Sequence, residues 1–178
     1  MTKIKRYLER GYPYFITTNT YKRQAIFLDE KICKILLVAL EYFKLVLDYK
    51  IYAYCVMPDH LHLVMQPAGT YDLSYIMRMI KGNFSRKYNK LLFSSGKVWQ
   101  KRFFDEGIRG DIQLIKKIEY IHNNPVRAKI VMAPDEYKFS SYGHYFNTAY
   151  NNNIFPEIDQ FECDYSGTPR CLRRSIKK

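Results

Sequence analysis

The chain has no long apolar run. The longest clean one is Ile35 to Leu40, far short of the roughly 20 residues that a membrane-spanning helix needs. The basic residues at the N-terminus are not followed by an apolar stretch of signal-peptide length, and a cytoplasmic protein is expected. Cysteine is sparse and unpaired in pattern: Cys33, Cys55, Cys163 and Cys171 form no CxxC, which argues against a zinc ribbon and against a thioredoxin-type site. Cys33 and Cys55 lie in apolar patterns and read as packing residues, with thiols the default where nothing suggests secretion. No internal repeat is present. Acidic residues are few, 17 Asp and Glu against 29 Lys and Arg, a net charge of +12. That balance points to a polyanionic partner, with nucleic acid the first suspect. What is there suits one folded domain: 178 residues, 47% hydrophobic and 16% aromatic, enough for a sizeable core.

The most informative segment is Tyr54-Cys55-Val56-Met57-Pro58-Asp59-His60-Leu61-His62-Leu63-Val64-Met65. On a strand, successive side chains alternate faces, so His60, His62 and Val64 share one surface while Leu61, Leu63 and Met65 share the other. Two imidazoles on one surface are half of a metal site, and a catalytic divalent ion needs a further protein ligand while keeping room for substrate. Pro58-Asp59 is turn chemistry, so residues 50–57 and 60–66 read as a hairpin with the histidines at a strand start near a sheet edge.

Elsewhere Tyr12 to Tyr21 is rich in aromatic and β-branched residues and reads as a first strand. Asp29 caps a helix from Lys31 to about Tyr49, whose apolar residues recur at three- and four-residue steps. A second helix runs from Asp72 to about Asn89, Phe103 to Arg109 is a short strand, and Gly110-Asp111 opens a third helix. The order strand, helix, strand, strand, helix, strand, helix suits an α+β domain with helices packed on one face of an antiparallel sheet. On the third helix, at about 100° per residue, Ile112, Leu114, Ile115, Ile118 and Ile121 fall in one half with His122 among them. Tyr120 falls in the other half, beside Asn124 one turn on. This orientation favours Asn124 over His122 as a third ligand. Trp99 reads as an anchor of the fold ahead of a base-stacking platform.

VMPDHLHLVMQP, WQKRFFDEGIR, IEYIHNNPVRAKIV and YKFSSY, in that order over roughly residues 10–145, resemble the REP-associated tyrosine transposases. These are relatives of the insertion-sequence-200-like transposases within the HUH nuclease superfamily. The resemblance implies a ferredoxin-like sheet, a Mg²⁺ or Mn²⁺ site at His60 and His62, a nucleophile at Tyr120, and single-stranded or hairpin DNA as substrate, cleaved through a 5′-phosphotyrosine. Relatives complete the metal site with a glutamine four residues after the tyrosine, where this chain has the shorter Asn124. Candidate DNA contacts are Arg78, Lys81, Arg86, Lys87, Lys101, Arg102, Arg127 and Lys129, together with Arg173 and Arg174 in a basic tail. Residues 1–146 are expected to form a single HUH-type transposase domain and 147–178 an Asn-rich segment and basic tail. A monomer is expected ahead of a homodimer. The rival readings are a catalytically inactive hairpin-binding module, another HUH nickase such as a replication initiator or relaxase, and a zinc hydrolase. The last would need a carboxylate near the histidines, and Asp59 is expected to point to the opposite face.

Overall fold

The computed structural model describes residues 11–146 and 156–159. Four strands, β1 (Tyr14–Asn19), β2 (Tyr49–Met57), β3 (His60–Pro67) and β4 (Phe104–Gly107), form one antiparallel sheet in the order β2-β3-β1-β4. With helices α1 (Glu30–Leu47) after β1 and α2 (Leu73–Leu91) after β3, the chain follows the β-α-β-β-α-β order of the ferredoxin-like split βαβ. A third helix, α3 (Asp111–Arg127), and a short α4 (Tyr142–Phe146) follow. The aspartates ahead of α1 and α2 begin them as expected: Asp29 accepts from the Lys31 amide and Asp72 from the Tyr75 amide, both at 2.7 Å, satisfying N–H groups that a helix start leaves unpaired.

Strand alternation sorts the core into two layers. Tyr14, Ile16, Leu61, Leu63 and Met65 meet Leu36, Leu40, Ile76 and Phe84 of α1 and α2. Phe15, Ala53, Cys55, Met57 and Val64 meet Leu114, Ile118 and Ile121 of α3. The antiparallel α+β class is therefore as expected, and α1 and α2 do share a face, but α3 covers the opposite one. The reason is in the strands: every residue of β2 from Ile51 to Met57 is buried, so both of its faces need a covering layer. A bulge between Ile51 and Ala53 resets the alternation within that strand.

β3 lies between β2 and β1, so the histidine strand is internal and not near an edge, although His60 does begin it. The outer edge of β2 is clasped by later chain. Val56 N donates to the Phe139 carbonyl, Ser141 N to the Tyr54 carbonyl and Asp159 N to the Ile51 carbonyl, at 2.9, 2.9 and 2.7 Å. Residues 156–159, inside the stretch expected to be tail, are thus part of the described fold, and Lys44 holds Asp159 at 3.0 Å.

Candidate active site

The antiparallel register of β1 and β3 sets Thr17 opposite His62 and Asn19 opposite His60, and these four side chains share the α3 face with Phe15. His62 Nδ1 lies 2.8 Å from Thr17 Oγ1, and His60 Nδ1 lies 2.6 Å from Asp59 Oδ1. Asp59 therefore turns toward His60 and not away from it, because it sits in the turn, before the strand alternation begins. Its other oxygen takes Arg23 Nε at 2.8 Å, and Arg23 Nη1 also donates to Asn19 Oδ1. With both Nδ1 atoms held, the two Nε2 atoms converge to 3.0 Å.

That separation is a direct test of fit for a metal. Adjacent donors about 2.1 Å from an octahedral ion stand about 3.0 Å apart. Two imidazole lone pairs at this distance call for a proton or a cation between them, and outer-shell partners such as Asp59 and Thr17 are what ligating histidines use to fix their orientation. Burial pushes the His62 imidazolium down to about 3, with the neighbouring His60 charge acting the same way. Burial also lowers His60, against an opposing pull from Asp59. Both rings are thus neutral near pH 7, the form in which imidazole binds a metal. Among the described residues no third His, Cys, Asp or Glu joins the pair to make a three-residue cluster.

α3 brings the tyrosine. Its buried stripe runs through Leu114, Ile118, Ile121, His122 and Pro125. Ile112, expected in that stripe, is 74% exposed because it lies well off the line those residues define. Tyr120 lies off the stripe, in the other half of the helix as expected and 38% exposed, with its ring edge-to-face against His62 at 5.8 Å and against Phe15 at 5.7 Å. Phe15 in turn stacks on His62 at 5.5 Å. The Arg127 guanidinium lies 5.2 Å from the Tyr120 ring centre. Lys117 is held by Glu106 at 2.7 Å, with Nζ 4.7 Å from the Phe15 ring centre. Asn124 is on the same helix face, half-buried, but its Nδ2 donates to the Tyr120 carbonyl at 2.9 Å. Among the described residues it makes no hydrogen bond to either imidazole. His122 is buried and bonded to Ser141 Oγ at 2.9 Å, away from the histidine pair.

The remaining expected contacts fall elsewhere. Arg78, Lys81 and Lys101 line a cleft beside α2, with Arg102 exposed next in the chain, and Arg86 and Lys87 are exposed further along α2. Lys129 is exposed just beyond α3. Arg173 and Arg174 lie outside the described residues. Trp99 is an anchor, packed on Phe27 and Phe84. Sequence reasoning missed Thr17, Phe15 and Arg23. The signal for the first two was the spacing in YFITT, which puts alternate residues of β1 on the histidine side once the strands pair.

Fold and site define a ferredoxin-like α+β protein with a histidine pair and an exposed tyrosine on its third-helix face. Comparison with known proteins makes this specific. The family profile described as Transposase IS200 like matches residues 10–124, and the chain belongs to that family, one of tyrosine transposase enzymes. It is 30% identical over 128 residues to a protein of Haemophilus influenzae named for the REP-associated tyrosine transposases, a match covering 66% of each chain. It is 28% identical over 143 residues to the REP-associated tyrosine transposase of Escherichia coli K12, covering 80% of this chain and 83% of that one. A solved REP-associated tyrosine transposase bound to a REP hairpin superimposes with a TM-score of 0.71 at 25% identity, over 92% of this chain and 96% of the other. No helix among the described residues is long and apolar enough to cross a membrane.

Proposed function

We propose that this chain is a cytoplasmic single-stranded DNA endonuclease and strand transferase of the HUH type, acting on hairpin or REP-like DNA through a 5′-phosphotyrosine at Tyr120. The observation that carries the reading is the contact between Tyr120 and His62, rings 5.8 Å apart, contributed by elements far apart in sequence. The solved relative bound to a REP hairpin and the net charge of +12 support the choice of substrate.

Tyr120 Oη attacks the scissile phosphorus. The new O–P bond forms as the bond from phosphorus to the 3′ oxygen breaks; the phenol gives up its proton and the departing oxygen ends as a 3′-hydroxyl. Because the link remains a phosphodiester, a second 3′-hydroxyl can displace Tyr120 and rejoin DNA without a nucleoside triphosphate. His60 and His62 would hold Mg²⁺ or Mn²⁺, whose Lewis acidity toward a phosphoryl oxygen is the chemistry it supplies. Asp59 and Thr17 orient the imidazoles, and Arg127 presents fixed positive charge to the phosphate beside the Tyr120 ring. Asn124 is the candidate for a further donor through Oδ1, since its bond to the Tyr120 carbonyl uses only Nδ2. Residues 1–146 carry the chemistry, and the basic stretch within 147–178, Arg173 and Arg174 included, holds DNA outside the site.

The test is incubation with labelled hairpin DNA and Mn²⁺ or Mg²⁺, then denaturing electrophoresis. A metal-dependent covalent adduct is expected for wild type and none for Tyr120→Phe or His60→Ala. Hairpin binding with no adduct would make the chain a binding module. An adduct surviving Tyr120→Phe would move the nucleophile to another tyrosine.

A further inference from the structure

The connection from β1 to α1 is folded onto the turn that opens the histidine strand. Thr20 N donates to the Asp59 carbonyl and Phe27 N to the Pro58 carbonyl, both at 2.9 Å, so backbone bonds fasten the connection to the turn at two points. Between those points the chain is strained. Lys22 and Arg23 follow one another with φ of 52° and 57°, in the left-handed region that residues with a Cβ rarely occupy. Strain of this kind persists only where the surrounding structure offsets it, and it gathers at functional sites.

What the strained connection presents is the Arg23 guanidinium. Nε donates to Asp59 Oδ2 at 2.8 Å and Nη1 to Asn19 Oδ1. One planar group thereby joins the two neighbours of His60: Asp59 precedes it in the chain, and Asn19 is its register partner on β1. With Oδ2 taken, the Asp59 carboxylate is held against rotation and Oδ1 stays on His60 Nδ1 at 2.6 Å. A carboxylate only accepts, so Nδ1 carries the imidazole proton. Nε2 keeps its lone pair, turned toward His62 Nε2 at 3.0 Å.

We propose that Arg23 is a positioning residue for the metal-dependent cleavage, acting through Asp59 to fix the ring and the tautomer of His60. This rests on the proposed DNA-cleaving function and on a metal ion at His60 and His62. Two properties of Arg23 can be separated. Its fork sets two acceptors in fixed relative directions, which a lysine ammonium on its flexible stem does not do. Its charge works against a nearby cation, so loss of the charge alone would tighten metal binding, whereas loss of the orientation would weaken it.

The test is isothermal titration of the full chain with Mn²⁺, without DNA, using wild type, Arg23→Met, Arg23→Lys, Asp59→Asn and the double variant Arg23→Lys/Asp59→Asn. Thermal melting checks that each folds, and Arg23→Lys, the milder change, carries the test should Arg23→Met not fold. Arg23→Met loses the charge and Arg23→Lys keeps it, yet both are expected to bind Mn²⁺ about 10- to 100-fold more weakly than wild type. The double variant is expected to bind no more weakly than Asp59→Asn, because effects that run through one residue do not add. Imidazole nitrogen NMR spectra of the metal-free protein are expected to show His60 with its proton on Nδ1 in wild type and shared between the two nitrogens in Arg23→Lys. Mn²⁺ affinity equal to or above wild type in either Arg23 variant would overturn the positioning role and leave the DNA-cleaving reading standing. The full Arg23→Lys loss added on top of Asp59→Asn would overturn it too. Arg23 is half exposed, and weaker metal-free binding of hairpin DNA by Arg23→Lys with Mn²⁺ affinity unmoved would make it a DNA contact instead. Wild type that binds no Mn²⁺ would overturn both the positioning role and the metal site it serves.

Discussion

Single side chains decide how the site is aimed. Asp59 and Thr17 hold the ring nitrogens opposite the converging Nε2 atoms of His60 and His62. Loss of such a partner typically weakens metal affinity 10- to 100-fold. Thr17→Val and Asp59→Asn should each weaken Mn²⁺ binding by about that much in isothermal titration with the fold intact, and affinities equal to wild type would mean that these two partners do not orient the pair for an ion. His122 makes a different prediction. Burial, helped by the His144 charge, pushes it down to about 3, whereas in the unfolded chain it takes up a proton near pH 6.5. The unfolded state binds the extra proton, so the stability linked to His122 is full above about pH 6.5 and is lost as pH falls toward 3. Roughly 2 kcal/mol should go between pH 7.5 and pH 5. Urea unfolding at the two pH values should show a loss smaller by that amount in His122→Gln; an undiminished loss would mean that His122 charges inside the fold.

At the scale of elements, much was open to reading. Asp29 and Asp72 announce α1 and α2, Pro58-Asp59 the hairpin, and the Ile118 to Ile121 spacing the buried side of α3. What one helix cannot declare is which side of a sheet it covers, since its stripe gives only the direction of burial. The clue lay instead in β2, where Tyr52 to Met57 is apolar at both parities, the pattern of a strand with two covered faces. Expecting the helices on one face of the sheet put α3 on the wrong side, although Tyr120 was still read as the partner of His60 and His62. Asn124 was legible in position but not in bonding, because spacing on a wheel says nothing of whether an amide turns back to its own helix. Docking of α3 is carried by residues such as Ile121, fully buried against the sheet. Ile121→Ala should cost about 2–5 kcal/mol in equilibrium unfolding, and a cost below about 1 kcal/mol would show that α3 is held by other contacts.

For the whole molecule, one chain supplies both the histidine pair and the tyrosine that touches it. On that geometry we propose a monomer acting in cis. Light scattering should give the chain mass of 21.3 kDa. Mixing Tyr120→Phe with His60→Ala protein should yield no covalent adduct, because neither chain owns both groups; an adduct from the mixture would show assembly across two copies.

The clasp on β2 also sets an order in time. Residues 139–141 and 156–159 leave the ribosome well after the strand they cover, so during synthesis Ile51, Tyr54 and Val56 present bare backbone donors and acceptors on one side. Such an edge is a template for foreign strands. Until those residues emerge, the β2 edge is open to such pairing, and their arrival closes it.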